Sequence, residues 1–216
     1  MGRLELFELE TSAHGGGSGR SMLFLLMGLV LFLGVHGFAA TRSRSPGNLR
    51  DRYGRIYMVV FSILSLAGFG LLVWGYGLAR GDAQWNSPFW VAPEWTRHLI
   101  MALMLPSMVL LMSAYAPFGH IRRYVRHPML AAIMIWAVAH LIYNGNLPSV
   151  LLFGGFLAYS VFSRIQADKR GEDDVRHRVP SAYGDLTAVT AGVGLYVAFI
   201  FVLHQVLIGV PVLPST

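Results

Sequence analysis

Residues Ile56–Leu78 read IYMVVFSILSLAGFGLLVWGYGL and contain no charged side chain. At ~1.5 Å of rise per residue such a helix is about 35 Å long, enough to cross a hydrocarbon core of roughly 30 Å. A run of this length and character decides the fold class, because it reads as a membrane span rather than a buried soluble helix. Working outward, the same rule predicts spans at Met22–Ala40, His98–Tyr115, Pro128–Tyr143, Leu147–Ser163 and Ala188–Val210. The expectation is an all-α polytopic membrane bundle of about six transmembrane helices. Pro128–Tyr143 and Leu147–Ser163 are short, and Asn144-Gly145-Asn146 between them is a tight polar turn. These two helices are therefore expected to form an antiparallel hairpin.

Composition supports the class. Only 13% of the 216 residues are charged and 55% are hydrophobic, whereas soluble domains carry about 25% charge. The length suits one bundle. Residues 1–21 are polar and end in Gly15-Gly16-Gly17-Ser18-Gly19, which predicts a flexible tail, with Met22 as a second plausible start. This segment has neither the apolar core of a signal peptide nor the arginine-rich look of a transit peptide. Residues 22–210 form the expected transmembrane domain, and 211–216 a short C-terminal tail. With no cysteine in the chain, disulfides, thiolate ligands and cysteine nucleophiles are excluded.

A net charge of +6 would raise nucleic-acid binding in a soluble protein. Here the arginines lie in short loops between apolar runs. Arg42, Arg44, Arg50, Arg52 and Arg55 face only Asp51 in the first loop, and Arg122, Arg123 and Arg126 face no acid in the third. The fifth holds Arg164, Lys169, Arg170, Arg176 and Arg178, diluted by acids, while Arg80 and Arg97 in the other loops are offset by Asp82 and Glu94. Alternation of this kind is topology: it puts loops one, three and five in the cytoplasm and both termini on the non-cytoplasmic side. No nucleic-acid partner is expected. The outer loop Trp85-Asn86-Ser87-Pro88-Phe89-Trp90 suits the membrane interface.

Within spans, histidine is costly and marks candidate function. His36, in Gly34-Val35-His36-Gly37, sits near the cytoplasmic end of the first span, and its small neighbours would let a helix or a flat macrocycle approach. It is either an axial ligand or a residue hydrogen-bonded to a neighbouring helix or reaching the interface. His140 lies about 18 Å along the fourth span, with Trp136 one turn back where it could flank a planar cofactor; ligand and helix-bridging roles both remain open. His127 precedes Pro128 at the helix start. Thirteen residues separate it from His140, about 140° around the helix, so the two cannot serve one metal from one face. His127 is expected at a propionate, a phosphate or lipid headgroup, or the interface. His204 is a rival ligand at an outer depth similar to that of His140. His98 starts the third span at the interface, and His14, His120 and His177 are expected to be solvated. On depth, His36 and His140 should differ by about 10–12 Å along the membrane normal.

Gly34-Val35-His36-Gly37, Arg126-His127-Pro128, Trp136-Ala137-Val138-Ala139-His140 and His204 before Gly209-Val210-Pro211 together resemble the NnrU family, over nearly the whole chain from Met22. The resemblance implies a role in the expression or assembly of nitrite and nitric oxide reductases. It also extends to the plant 15-cis-zeta-carotene isomerase, a membrane haem b enzyme, whose two axial histidines fall on His36 and His140. Where that isomerase carries a cysteine three residues before the second histidine, this chain has Ala137. The resemblance thus implies haem b as cofactor, held by His36 and His140. Arg126 and His127 are candidate cofactor contacts, and with Arg122 and Arg123 the arginines would face haem propionates, a role that competes with plain topology. A second, weaker likeness is to membrane isoprenylcysteine-type methyltransferases, which carry an Arg-His-Pro that helps bind S-adenosylmethionine. Glu172-Asp173-Asp174 and Tyr183-Gly184 partly echo their later motifs.

The reading is a haem b-binding protein of the bacterial cytoplasmic membrane, linked to denitrification, with lipid and haem as partners. A lipophilic substrate or a membrane partner protein is a further possible partner. The alternatives are a haem-dependent isomerase of a polyene, a methyltransferase and a non-catalytic scaffold. No catalytic residue is assigned.

Overall fold

The structure is a computed structural model. It describes the backbone of residues 3–42, 48–170 and 178–213 and, within these, the side chains of 19–41, 48–170 and 178–213. Arg44, Arg176, His177 and Glu172-Asp173-Asp174 lie outside the described residues, as do the side chains of His14 and Arg42. Among the described residues the regular elements are all helical: α1 (Arg3–Arg42), α2 (Leu49–Gly81), α3 (Thr96–Ser113), α4 (His120–Val125), α5 (Pro128–Tyr143), α6 (Leu147–Arg170), α7 (Ala182–Ala198) and α8 (His204–Ile208), with a π-helical segment Phe199–Leu203 joining the last two. Five segments are long and apolar enough to cross a membrane: Gly19–Thr41, Leu49–Gly81, Thr96–Ser113, Leu147–Arg170 and Ala182–Ile208. The sixth expected span, α5, is a shorter apolar helix of 16 residues.

Several helices outrun their predicted ends, because hydropathy does not register polar turns that continue a helix beyond the apolar core. The helical backbone of α1 begins at Arg3, well before Met22. α2 begins at Leu49 rather than Ile56. Asn48 starts it by accepting the Asp51 N–H at 3.0 Å and donating its amide to the Asp51 carboxylate at 3.1 Å. Gly54, at φ 49°, kinks this polar turn off the apolar rod that follows. The six-residue α4 was not predicted.

The chain forms two compact units, residues 1–91 with 144–155, and residues 92–143 with 156–216. In the first, α1 and α2 run antiparallel at close range. A Cβ added to Gly28 would overlap the Leu72 backbone, and one on Gly75 the Leu25 backbone; one on Gly68 would lie 2.8 Å from the Phe32 nitrogen. The three pairs share one antiparallel register. Water does not drive helices together inside lipid, so close van der Waals contact across small residues supplies the adhesion. In the same unit the loop after α2 grips the Asn144-Gly145-Asn146 turn. The Phe89 N–H donates to the Gly145 carbonyl at 2.8 Å, and Asn146 donates to the Asn86 side chain at 2.7 Å. Asn146 also accepts the Ser149 N–H at 3.1 Å, starting α6, and Ser149 in turn meets the Tyr76 hydroxyl at 3.0 Å.

In the second unit α3 packs against both α5 and α7. Ser107, buried on α3, donates to the Ala132 carbonyl of α5 at 2.9 Å. Tyr196 of α7 donates to the Met101 carbonyl of α3 at 3.0 Å. A Cβ on Gly192 would stand 2.5 Å from the Val109 Cα, so α3 and α7 also touch backbone to backbone.

The glycine contacts are testable within one helix. Gly75→Ala must push α1 and α2 apart, at about 1–3 kcal/mol by the cost of overpacking. Gly77→Ala, where an added Cβ meets nothing within 4 Å, should change stability by less than about 1 kcal/mol. Thermal unfolding in detergent or nanodiscs checks this. Equal effects of the two substitutions would show that the close approach does not hold the pair together.

Candidate functional site: intramembrane histidines and the Arg-His-Pro turn

His36 lies on the apolar stretch of α1 and is half-buried. Its Nδ1 is 2.7 Å from the Phe32 carbonyl one turn back. A carbonyl can only accept, so Nδ1 carries the proton and the neutral ring keeps its lone pair on Nε2. Phe32 lies against the imidazole at 4.2 Å between centroids, and Phe61 of α2 meets it edge-on at 5.1 Å. Of the two approaches the flanking glycines would allow, that of a neighbouring helix is not made here. Helix α2 makes its close approaches at Gly28, Gly68 and Gly75, while a Cβ on Gly34 or Gly37 would meet nothing within 4 Å. Gly34 and Val35 instead line an open apolar groove of about 890 Å3, together with Val30, Phe38, Tyr57 and Phe61.

His140, in the second unit, repeats the arrangement. Its Nδ1 is 2.9 Å from the Trp136 carbonyl four residues back, which again fixes the tautomer with the lone pair on Nε2. Trp136 lies against the imidazole at 5.2 Å, and Phe156 of α6 meets Trp136 edge-on at 5.5 Å. Ala137, three residues before His140, is fully buried. His204, at the start of α8, holds Nδ1 2.6 Å from the Val210 carbonyl, where the chain turns back at Gly209 with φ 78°. Among the described residues no group of three or more His, Cys, Asp or Glu side chains could hold a metal ion.

The Arg-His-Pro turn is separate from the His140 imidazole, since His127 and His140 lie at opposite ends of α5. Arg126 closes α4 at φ 61° and ψ −58°, and the His127 N–H donates to the Val125 carbonyl at 2.7 Å. Those angles and that bond make Arg126 the centre of a γ-turn in its strained, positive-φ form. The His127 carbonyl accepts the Ala131 N–H and so starts α5, with Pro128 in the first turn, where no amide hydrogen is needed. The Arg126 side chain is exposed. His127 is half-buried, with Nε2 shielded from solvent.

Arg164, read from the sequence only as loop charge, and Asp185, which that reading did not single out, hold this region. Arg164 of α6 donates to the Val125 carbonyl at 3.1 Å and pairs with Asp168 at 3.1 Å. Asp185 of α7 accepts the N–H groups of His120 and Ile121, both at 2.9 Å, and its carboxylate lies 2.7 Å from His120 Nδ1. His120 is exposed, as expected, and it also opens α4 and is tied to Asp185 of α7. The i, i+4 spacing of Arg164 and Asp168 was visible in the sequence. The pairing of Asp185 with residues some sixty-five positions away was not.

The fold and these side chains define a polytopic helical membrane protein with histidines on its apolar helices, each held by a backbone carbonyl. A family model described as NnrU protein matches residues 24–212, and the chain belongs to that family. No curated protein and no solved structure matches it.

Removing the Asp185 cap should free α4. Asp185→Ala is expected to cost about 1–2 kcal/mol and to speed proteolysis between α3 and α5, while Asp185→Asn, which keeps one acceptor, should lie between. Limited proteolysis in detergent reads this directly. An unchanged cleavage rate in Asp185→Ala would show that the cap does not hold the segment.

Proposed function

We propose that this NnrU-family protein binds haem b in the bacterial cytoplasmic membrane, where His36 and His140 would hold the iron. It would serve there in the expression or assembly of nitrite and nitric oxide reductases. The observation that supports ligation is common to both side chains: a backbone carbonyl one turn back holds the proton on Nδ1. Metal-bound histidines characteristically donate their second nitrogen in this way, which fixes the tautomer and keeps the other nitrogen a donor. An aromatic side chain against each ring limits its rotation, and the open apolar surface beside Gly34 would accept a flat apolar group. Haem with two histidine ligands supplies electron transfer or sensing rather than substrate activation, which needs an open coordination position. The family membership supports the denitrification role, and the alternating arginine loops support the membrane orientation.

Absorption spectroscopy of protein purified from haem-replete cells tests the ligands. A Soret band is expected, lost or weakened at least tenfold in His36→Ala and in His140→Ala but kept in His204→Ala. A colourless preparation, or a full band in the His36→Ala, His140→Ala double variant, overturns the assignment. The cellular role is tested separately. Deleting the gene in a denitrifying host should lower nitrite and nitric oxide reductase activities, and unchanged activities would remove that half of the proposal.

A further inference from the structure

Three arginines sit within five residues on the turn between α3 and α5: Arg122, Arg123 and Arg126. Topology alone accounts for positive charge in such a loop, but it requires no particular shape. This loop has one. Arg126 is held at a φ uncommon outside glycine and asparagine, and the turn is tied at both ends, by Arg164 to the Val125 carbonyl and by Asp185 to the start of α4. Those ties also occupy the nearby acids, Asp168 with Arg164 and Asp185 with His120. Among the described residues no carboxylate pairs with Arg122, Arg123 or Arg126. Tyr124, between them, is 83% exposed, an aromatic where α5 enters the apolar layer, the place such rings occupy at a membrane surface.

We propose that the α4–α5 turn is a binding site for the phosphate of an anionic membrane lipid. Guanidinium groups match phosphate oxygens in a planar, two-pronged fashion. Basic clusters directly beside a membrane helix draw anionic headgroups, which lie at that depth at high local concentration. The turn fixes where Arg126 points, and α4 carries Arg122 and Arg123 on a rigid base. The site lies at the opposite end of α5 from His140, and it does not depend on haem being bound.

Native mass spectrometry of the full chain, with phosphatidylglycerol and phosphatidylcholine in competition, tests the site. Retention of phosphatidylglycerol should exceed that of phosphatidylcholine and fall about fivefold for each arginine neutralised among Arg122→Gln, Arg123→Gln and Arg126→Gln. Arg126→Lys should keep part of the preference, because charge survives while the two-pronged contact is lost. The exposed Arg126→Gln single variant suffices if the triple variant does not fold. An undiminished preference in a folded variant overturns the proposal. So does equal displacement of the lipid by millimolar inorganic phosphate, which would point to a soluble ligand. Loss of haem absorbance in Arg126→Gln with lipid retention unchanged would assign the turn to the haem propionates instead.

Discussion

In hydrocarbon a polar group without a partner costs several kcal/mol, and there is no water to supply one. Much of this chain's side-chain placement follows from that constraint. Ser113 donates to the Leu110 carbonyl, Ser160 to Leu157 and Thr187 to Tyr183. The imidazoles of His36 and His140 turn back to Phe32 and Trp136 in the same way. Where a polar side chain reaches across instead, as Ser107 does to Ala132 and Tyr196 to Met101, it fixes the register of one helix against another. Apolar side chains cannot do this, because they find lipid as good a neighbour as protein. Adhesion is left to the glycines, and their spacing shows it: Gly68 and Gly75, two turns apart on α2, both face α1.

The same reasoning explains what the sequence made legible. Charge-free runs such as Ile56–Leu78 have no other stable state, so the spans could be read, and the three-residue turn at Asn144–Asn146 lies where predicted. Helix ends could not be read from hydropathy. They depend on single capping residues such as Asn48 and Asp185, whose partners are chosen by tertiary structure. The small α4 was invisible for the same reason: six residues form no periodic pattern, and this helix exists because Asp185 holds its first N–H groups. Gly34 and Gly37 suggested close packing on composition alone, yet Gly28 carries it. Glycine content marks where approach is permitted, and only the register of the facing helix says where it happens.

Helical counting also fails at a definite place. The π-helical segment Phe199–Leu203 adds a residue to the helical turn just before His204. One extra residue rotates everything after it by about 100°, so the face His204 presents does not follow from the phase of α7. No such segment interrupts α5, where the four-residue step from Trp136 to His140 keeps its expected meaning.

That contrast bears on which imidazoles are fixed donors. His36 and His140 hold Nδ1 against a carbonyl of their own helix, so tautomer and ring orientation are set by a rod that does not move independently of them. His204 holds Nδ1 against Val210, beyond the end of α8, and keeps it only while Gly209 maintains its left-handed turn. Loss of that turn would release the Nδ1 hydrogen bond and leave either tautomer accessible. A ligand nitrogen must present its lone pair in one direction continuously. By this criterion the His36 and His140 rings are each held in one tautomer by the helix that carries them, and the His204 ring is held only by the turn at Gly209.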